Sequence, residues 1–153
     1  MIRLLAPIAI LANGIGAGVM LSTVLGIVPL TLVLPYDRYV QAIRFLWPRY
    51  DPFMPVINGV AFLLDVAVTV LTATEPGRAL FGLAAALLAA VMSISLIKNV
   101  PINKYVTLLD PVRQPPDWAQ RDPRLRWRNW NLARTSLALV ALAANVAGIG
   151  ALL

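Results

Sequence analysis

Four long apolar stretches, separated by polar connections, set the plan of the chain. No charged residue occurs from Leu4 to Leu34, a run well beyond the roughly 20 residues needed to cross a bilayer core. It also exceeds the apolar core of a signal peptide, which predicts a retained helix. Phe53–Thr74 carries one charge, Asp65, and Ala79–Ile97 carries none. The last apolar run is entered through Asp122-Pro123, an N-cap residue followed by a good first helical residue. The expected spans are therefore 4–34, 53–74, 79–97 and 123–153, the last protruding at its start. Gly14, Gly18, Ser22 and Gly26 recur every four positions, a small-residue ladder expected to admit a neighbouring helix, with Asn13 beside it as an interhelical donor. Between the first two spans, Tyr36, Tyr39, Val40, Ile43 and Trp47 fall opposite Asp37, Arg38, Gln41 and Arg44. That pattern predicts a short helix in the interface plane, ended by Pro48. Glu75-Pro76-Gly77-Arg78 reads as a tight turn, and the third span is expected to stop before Asn99-Val100-Pro101. The fold class is all-α: a single integral membrane domain, residues 1–153, built as a four-helix transmembrane bundle with a short interfacial helix after the first span.

Composition narrows the chemistry. Hydrophobic residues make up 59% and charged residues 13%, about half the charged share of a soluble domain, and mean hydropathy is +0.77. So small a chain has no way to hide that much apolar surface in water. Cysteine and histidine are both absent, which excludes disulfides, thiolate nucleophiles, Cys/His metal sites and His-dependent triads built from this chain. An enzyme built on this chain is left with Asp, Arg, Lys, Tyr, amides or a borrowed cofactor. The net charge of +6 resides in basic residues flanking the apolar runs, which points to the lipid bilayer as partner and away from nucleic acid. Arg38, Arg44 and Arg49, with the eight basic residues from Lys98 to Arg134, lie on one side; only Arg3 and Arg78 lie on the other. By the positive-inside rule both termini are outside and the long connections cytoplasmic, in a multi-pass protein of the plasma (bacterial inner) membrane. Every Trp and Tyr also falls on the basic side, whereas an anchoring belt would mark both interfaces.

Candidate chemistry gathers on the last helix. Arg124, Trp127, Asn131, Arg134 and Ala138 recur at spacings of three and four, and Asn145 continues that face. Arg134, a turn inside the span, is compatible with snorkelling, but Asn131, Trp130 and Trp127 beside it favour a site. Asp65, mid-span, is expected to face inward with Asn13 and Asn145 as partners, either as a proton acceptor or as a protonated packing residue. Asn99 and Asn103 either cap a helix end or turn their amides toward Asn131 and Arg134.

The segments Asn99–Asn103 (NVPIN) and Trp127–Arg134 (WRNWNLAR), with Pro29, Leu30 and Tyr39–Pro55, resemble the anthrone oxygenase-like family of small four-helix membrane proteins. The resemblance implies oxidation of polyketide anthrones to anthraquinones by molecular oxygen without a metal. The resulting expectation is a cofactor-independent oxygenase for a hydrophobic phenolic or anthrone-like molecule. Arg134, Asn131 and Asp65 are its candidate catalytic residues, and Asn99, Asn103, Trp127 and Trp130 its candidate substrate-binding ones. Asp65 matches no motif of the family. The alternatives are a non-catalytic accessory subunit of a membrane complex and a small-solute or proton carrier using Asp65; the protein partner expected is a second copy of the chain or a member of a membrane complex.

Overall fold

A computed structural model describes residues 1–152, and all regular structure among them is helical, without strands. Helix α1 spans Ile2–Val33, α2 Tyr36–Tyr50, α3 Phe53–Leu71, α4 Glu75–Leu108, α5 Trp118–Arg121 and α6 Arg124–Gly150. Four stretches are long and apolar enough to cross a membrane: α1, α3, α4, and α5 with α6. Around the bundle α1 packs on α3, α3 on α4, α4 on α6 and α6 back on α1.

Three boundaries differ from the sequence reading, all at prolines. Pro76 lies in the first turn of α4, where its missing N–H costs nothing, so the turn at 75–78 is helical and the loop is Thr72–Thr74. Pro48 sits in the last turn of α2, which continues to Tyr50. Pro101 does not end α4 at all. A wide π turn over Ser95–Asn99, closed by the Val100 N–H on the Ser95 carbonyl, absorbs the missing donor, and the helix runs on to Leu108. The same device recurs in α1, where Thr23–Ile27 forms a π turn ahead of Pro29. In both, the first hydroxyl of the turn donates to the carbonyl four residues back: Thr23 to Val19 at 3.0 Å and Ser95 to Val91 at 2.8 Å.

The small-residue ladder is not the packing face of α1. The buried stripe is Ala6, Ala9, Ala12, Asn13, Gly16, Ala17 and Met20, while Gly18 and Gly26 are exposed. Positions two residues apart sit on nearly opposite helix faces, so the alanine stripe and the glycine ladder cannot both turn inward. The middle of the bundle is drawn tight by Ala12, Ala61, Ala84, Leu88, Ala141 and Ala144. Nearer the termini Phe81 packs on Gly148, where an added Cβ would lie 2.8 Å from the ring. Gly148→Ala is therefore expected to cost about 1–3 kcal/mol by overpacking. Gly18→Ala, with nothing within 4 Å, is expected to be neutral or mildly stabilising. Thermal unfolding in detergent distinguishes the two.

At the basic end the apolar face of α2 is covered by protein. Tyr36, Tyr39, Val40 and Ile43 pack on Ile102 and Val106 of α4 and on Trp118 and Trp127. Tyr36 meets Trp118 edge-on with ring centroids 4.8 Å apart, and its hydroxyl donates to the Asp110 carbonyl at 2.8 Å. Burial holds the hydroxyls of Tyr36 and Tyr39 above the usual tyrosine pKa.

Helix C-termini leave carbonyls without partners, a cost that grows in lipid. An arginine from elsewhere closes three of them. Arg124 Nη1 donates to the Thr31 and Leu34 carbonyls at the end of α1, at 3.1 and 2.8 Å. Arg78 Nε and Nη2 reach the Thr72 carbonyl at the end of α3. Arg44 takes Thr107 and Leu109 at the end of α4, at 3.0 and 2.7 Å. Each cation also complements the negative end of the helix it closes.

Candidate functional site

The interior widens where the alanine layer gives way to the basic end. Two adjoining cavities open there, of about 60 and 110 Å³, with Trp47, Tyr50, Met54, Asn103 and Arg134 in the walls of both. The first is completed chiefly by α1, through Met20, Thr23 and Ile27, with Ile43 and Trp127. The second is completed by Asn58 of α3 and by Met92, Ser95, Leu96 and Asn99 of α4. Each cavity thus has a π turn in its wall. Asn99 is buried beside exposed Lys98 and continues the inward stripe of α4 from Leu88 and Val91 to Ile102.

Arg134 is the charged centre of this region. Its Nε and Nη2 donate to Asn131 Oδ1 at 3.1 and 2.7 Å, and its Nη1 donates to Ser95 Oγ at 3.1 Å. Asn131, in turn, donates from Nδ2 to the Trp127 carbonyl at 2.8 Å, which holds its oxygen toward the guanidinium. No carboxylate among the described residues lies within 4.0 Å of Arg134. A guanidinium has five N–H donors, so two remain uncommitted. The half-buried cation is held entirely by neutral groups.

The expected face of α6 does turn inward: Trp127, Asn131, Ala138 and Asn145 are buried. The predicted residues nevertheless separate into distinct places. Arg134 and Asn103 line both cavities, Trp127 lines the first and Asn99 the second, while Asn131 stands behind Arg134 as its acceptor. Trp130 lies outside both, packed on the aromatic layer with Lys98 Nζ 5.3 Å from its ring centre. Arg124, on the same face, is the cap of α1. Asp65 borders neither cavity. It lies seven residues beyond Asn58, about 10 Å along α3, where Asn145 Nδ2 donates to its Oδ2 at 3.1 Å. The expected Asp65–Asn145 partnership is present, but Asn13, equally buried, forms no hydrogen bond through its side chain.

The sequence places Trp47 only on the apolar face of the interfacial helix and gives Tyr50 and Met54 no role, yet all three belong to the wall common to both cavities. Their signal was present: Ile43, Trp47 and Tyr50 prolong the inward stripe of α2 at spacings of four and three, and stopping the helix at Pro48 hid it. Among the described residues no group of three Asp or Glu side chains gathers to hold a metal ion. The arrangement as a whole is an apolar, aromatic recess with one unneutralised guanidinium and several amides, suited to a flat molecule that acquires negative charge on oxygen.

A family model described as Anthrone oxygenase matches residues 47–144. That stretch begins at Trp47 and takes in α3, α4 and α6 as far as Ala144, including Asn99, Asn103, Trp127, Asn131 and Arg134. Neither the curated proteins nor the solved structures give a match.

Proposed function

Because the chain belongs to the anthrone oxygenase family, we propose that its paired cavities are the active site of a membrane-embedded oxygenase that needs no resident cofactor. Its substrate is a hydrophobic phenolic or anthrone-like molecule drawn from the bilayer. The observation that carries this reading is the Arg134 guanidinium, placed in both cavity walls with two uncommitted donors and no carboxylate partner among the described residues.

Loss of a proton from the activated methylene of an anthrone leaves an enolate, whose oxygen Arg134 stabilises as a preorganised cation. The electron-rich ring system then reacts with dioxygen. One oxygen atom is retained as the new carbonyl and the other leaves as water with the two methylene hydrogens. Asn131 acts behind Arg134 by aligning the guanidinium, and Asn99 and Asn103 contribute polar contacts on the α4 side. Asp65, about two helical turns beyond Asn58, is a proton acceptor only through intervening groups. The basic end of the bundle faces the cytoplasm in this reading, with both termini outside.

The direct test is oxygen uptake by purified protein in detergent supplied with anthrone, with the quinone product followed by absorbance. Uptake above the rate of protein-free micelles is expected, and its absence sinks the reading. In the same assay Asn131→Ala is expected to lower kcat/KM by about 10- to 100-fold, because the guanidinium loses two of the three bonds that orient it.

A further inference from the structure

Buried donors without acceptors cluster around the cavities. The indole Nε1 atoms of Trp47 and Trp127 and the Nδ2 of Asn99 are sealed from solvent and make no hydrogen bond. A buried N–H left unpaired is costly, and such groups are rare in native proteins. Here three occur together, on α2, α6 and α4, in side chains that line one cavity or both.

Size explains why they are sealed. A cavity of roughly 150 Å³ binds a single benzene ring, and the two recesses measure about 60 and 110 Å³. A three-ring molecule fits within neither alone, and to occupy both it must part the wall that they share, which includes Trp47, Tyr50 and Met54. Parting that wall displaces the Trp47 ring and brings the entering molecule against the Trp127 indole on one side and the Asn99 amide on the other. The two indoles can only donate and lack an acceptor, while Asn99, unpaired at Oδ1 as well as Nδ2, can donate or accept.

Resting on the oxygenase reading, we propose that Trp47 and Trp127 determine specificity by donating their indole N–H groups, with Asn99, to oxygen atoms on the edge of a polycyclic ligand. The site therefore selects an oxygenated ring system over the bare hydrocarbon. The indoles act as hydrogen-bond donors in addition to providing ring surface, and Trp47 belongs to the site as much as Trp127.

Binding rather than turnover tests this. The probes are 9,10-anthraquinone and anthracene, which share three fused rings and differ in two carbonyl acceptors. Dissociation constants are measured in one detergent by quenching of tryptophan emission, for the wild type, Trp47→Phe and Trp127→Phe. Phenylalanine keeps an aromatic ring and removes the donor. The expected result is tighter binding of anthraquinone by the wild type, a preference that each variant reduces about fivefold while anthracene binding changes little. In protein labelled with 15N at the indoles, anthraquinone is expected to shift the Trp47 and Trp127 N–H resonances and anthracene to leave them in place. A preference that survives both substitutions, or equal losses for both probes, overturns the proposal. Oxygen uptake with anthrone, recorded on the same wild-type preparation, keeps the failures apart. Uptake with an unchanged preference overturns the indole assignment alone, and absence of both binding and uptake overturns the oxygenase reading with it.

Discussion

Arg134→Ala is expected to lower kcat/KM for anthrone oxidation by about 10²–10³, the scale found when one preorganised donor to a developing oxyanion is removed. The fold is expected to survive. Deleting one partner of a buried ion pair strands the other charge, but no carboxylate is paired with Arg134. The groups released are Asn131 Oδ1 and Ser95 Oγ, both neutral, and Ser95 keeps its bond to the Val91 carbonyl. Helical content and unfolding temperature in detergent are thus expected to stay near those of the wild type. Arg134→Lys restores the charge but cannot reach Asn131, Ser95 and a substrate oxygen with one planar fork, so it is expected to recover only part of the activity. Wild-type rates in Arg134→Ala would remove this residue from the mechanism.

Arg124→Met is expected to produce the largest loss of stability among the basic residues, on the order of 3 kcal/mol. The Arg124 side chain, 17% exposed, closes the end of α1 through two carbonyls and receives the Asp122 carboxylate, with Nε 2.8 Å from Oδ2. Methionine preserves apolar bulk but leaves those carbonyls open and the carboxylate, 23% exposed, without its cation. Arg44 makes two similar bonds at the end of α4, yet those bonds lie at the exposed surface, where water replaces a lost donor. Arg44→Met is therefore expected to cost about 1 kcal/mol or less. Reversible unfolding of the two variants in the same detergent gives the comparison, and equal losses would contradict the capping account.

These arginines also mark the limit of a reading by residue type. In the sequence Arg44, Arg78 and Arg124 are topological charges, and Arg124 additionally belongs to a promising polar face. In the folded chain each serves the end of a different helix, and for Arg124 that helix lies some ninety residues upstream. Nothing local to Arg124 announces the carbonyls of Thr31 and Leu34. Helix endings were similarly hidden. A proline predicts a break because its ring opposes the carbonyl four residues back, and a π turn removes that conflict without leaving a mark in composition.

What the sequence determined by itself was the membrane class, the number of long apolar helices, the inward face of α6 and the family, because apolar length, helical period and short motifs are properties of the chain alone. It also grouped Asn99, Asn103, Trp127, Trp130, Asn131 and Arg134 as one candidate site, of which Asn99, Asn103, Trp127 and Arg134 border the cavities, while Asn131 stands behind Arg134 and Trp130 lies outside. Only the tertiary structure decided which members of that face border open space and which are caps or packing, and it added Trp47, Tyr50 and Met54 from α2 and α3. It likewise set Asp65 beside Asn145 and apart from the cavities. The reason is geometric. A helical period tells which residues share a direction, whereas a cavity is made where neighbouring helices fail to meet, and that depends on side-chain volumes contributed by every helix at one depth: alanines close the middle of this bundle, and the π turns lie where it opens.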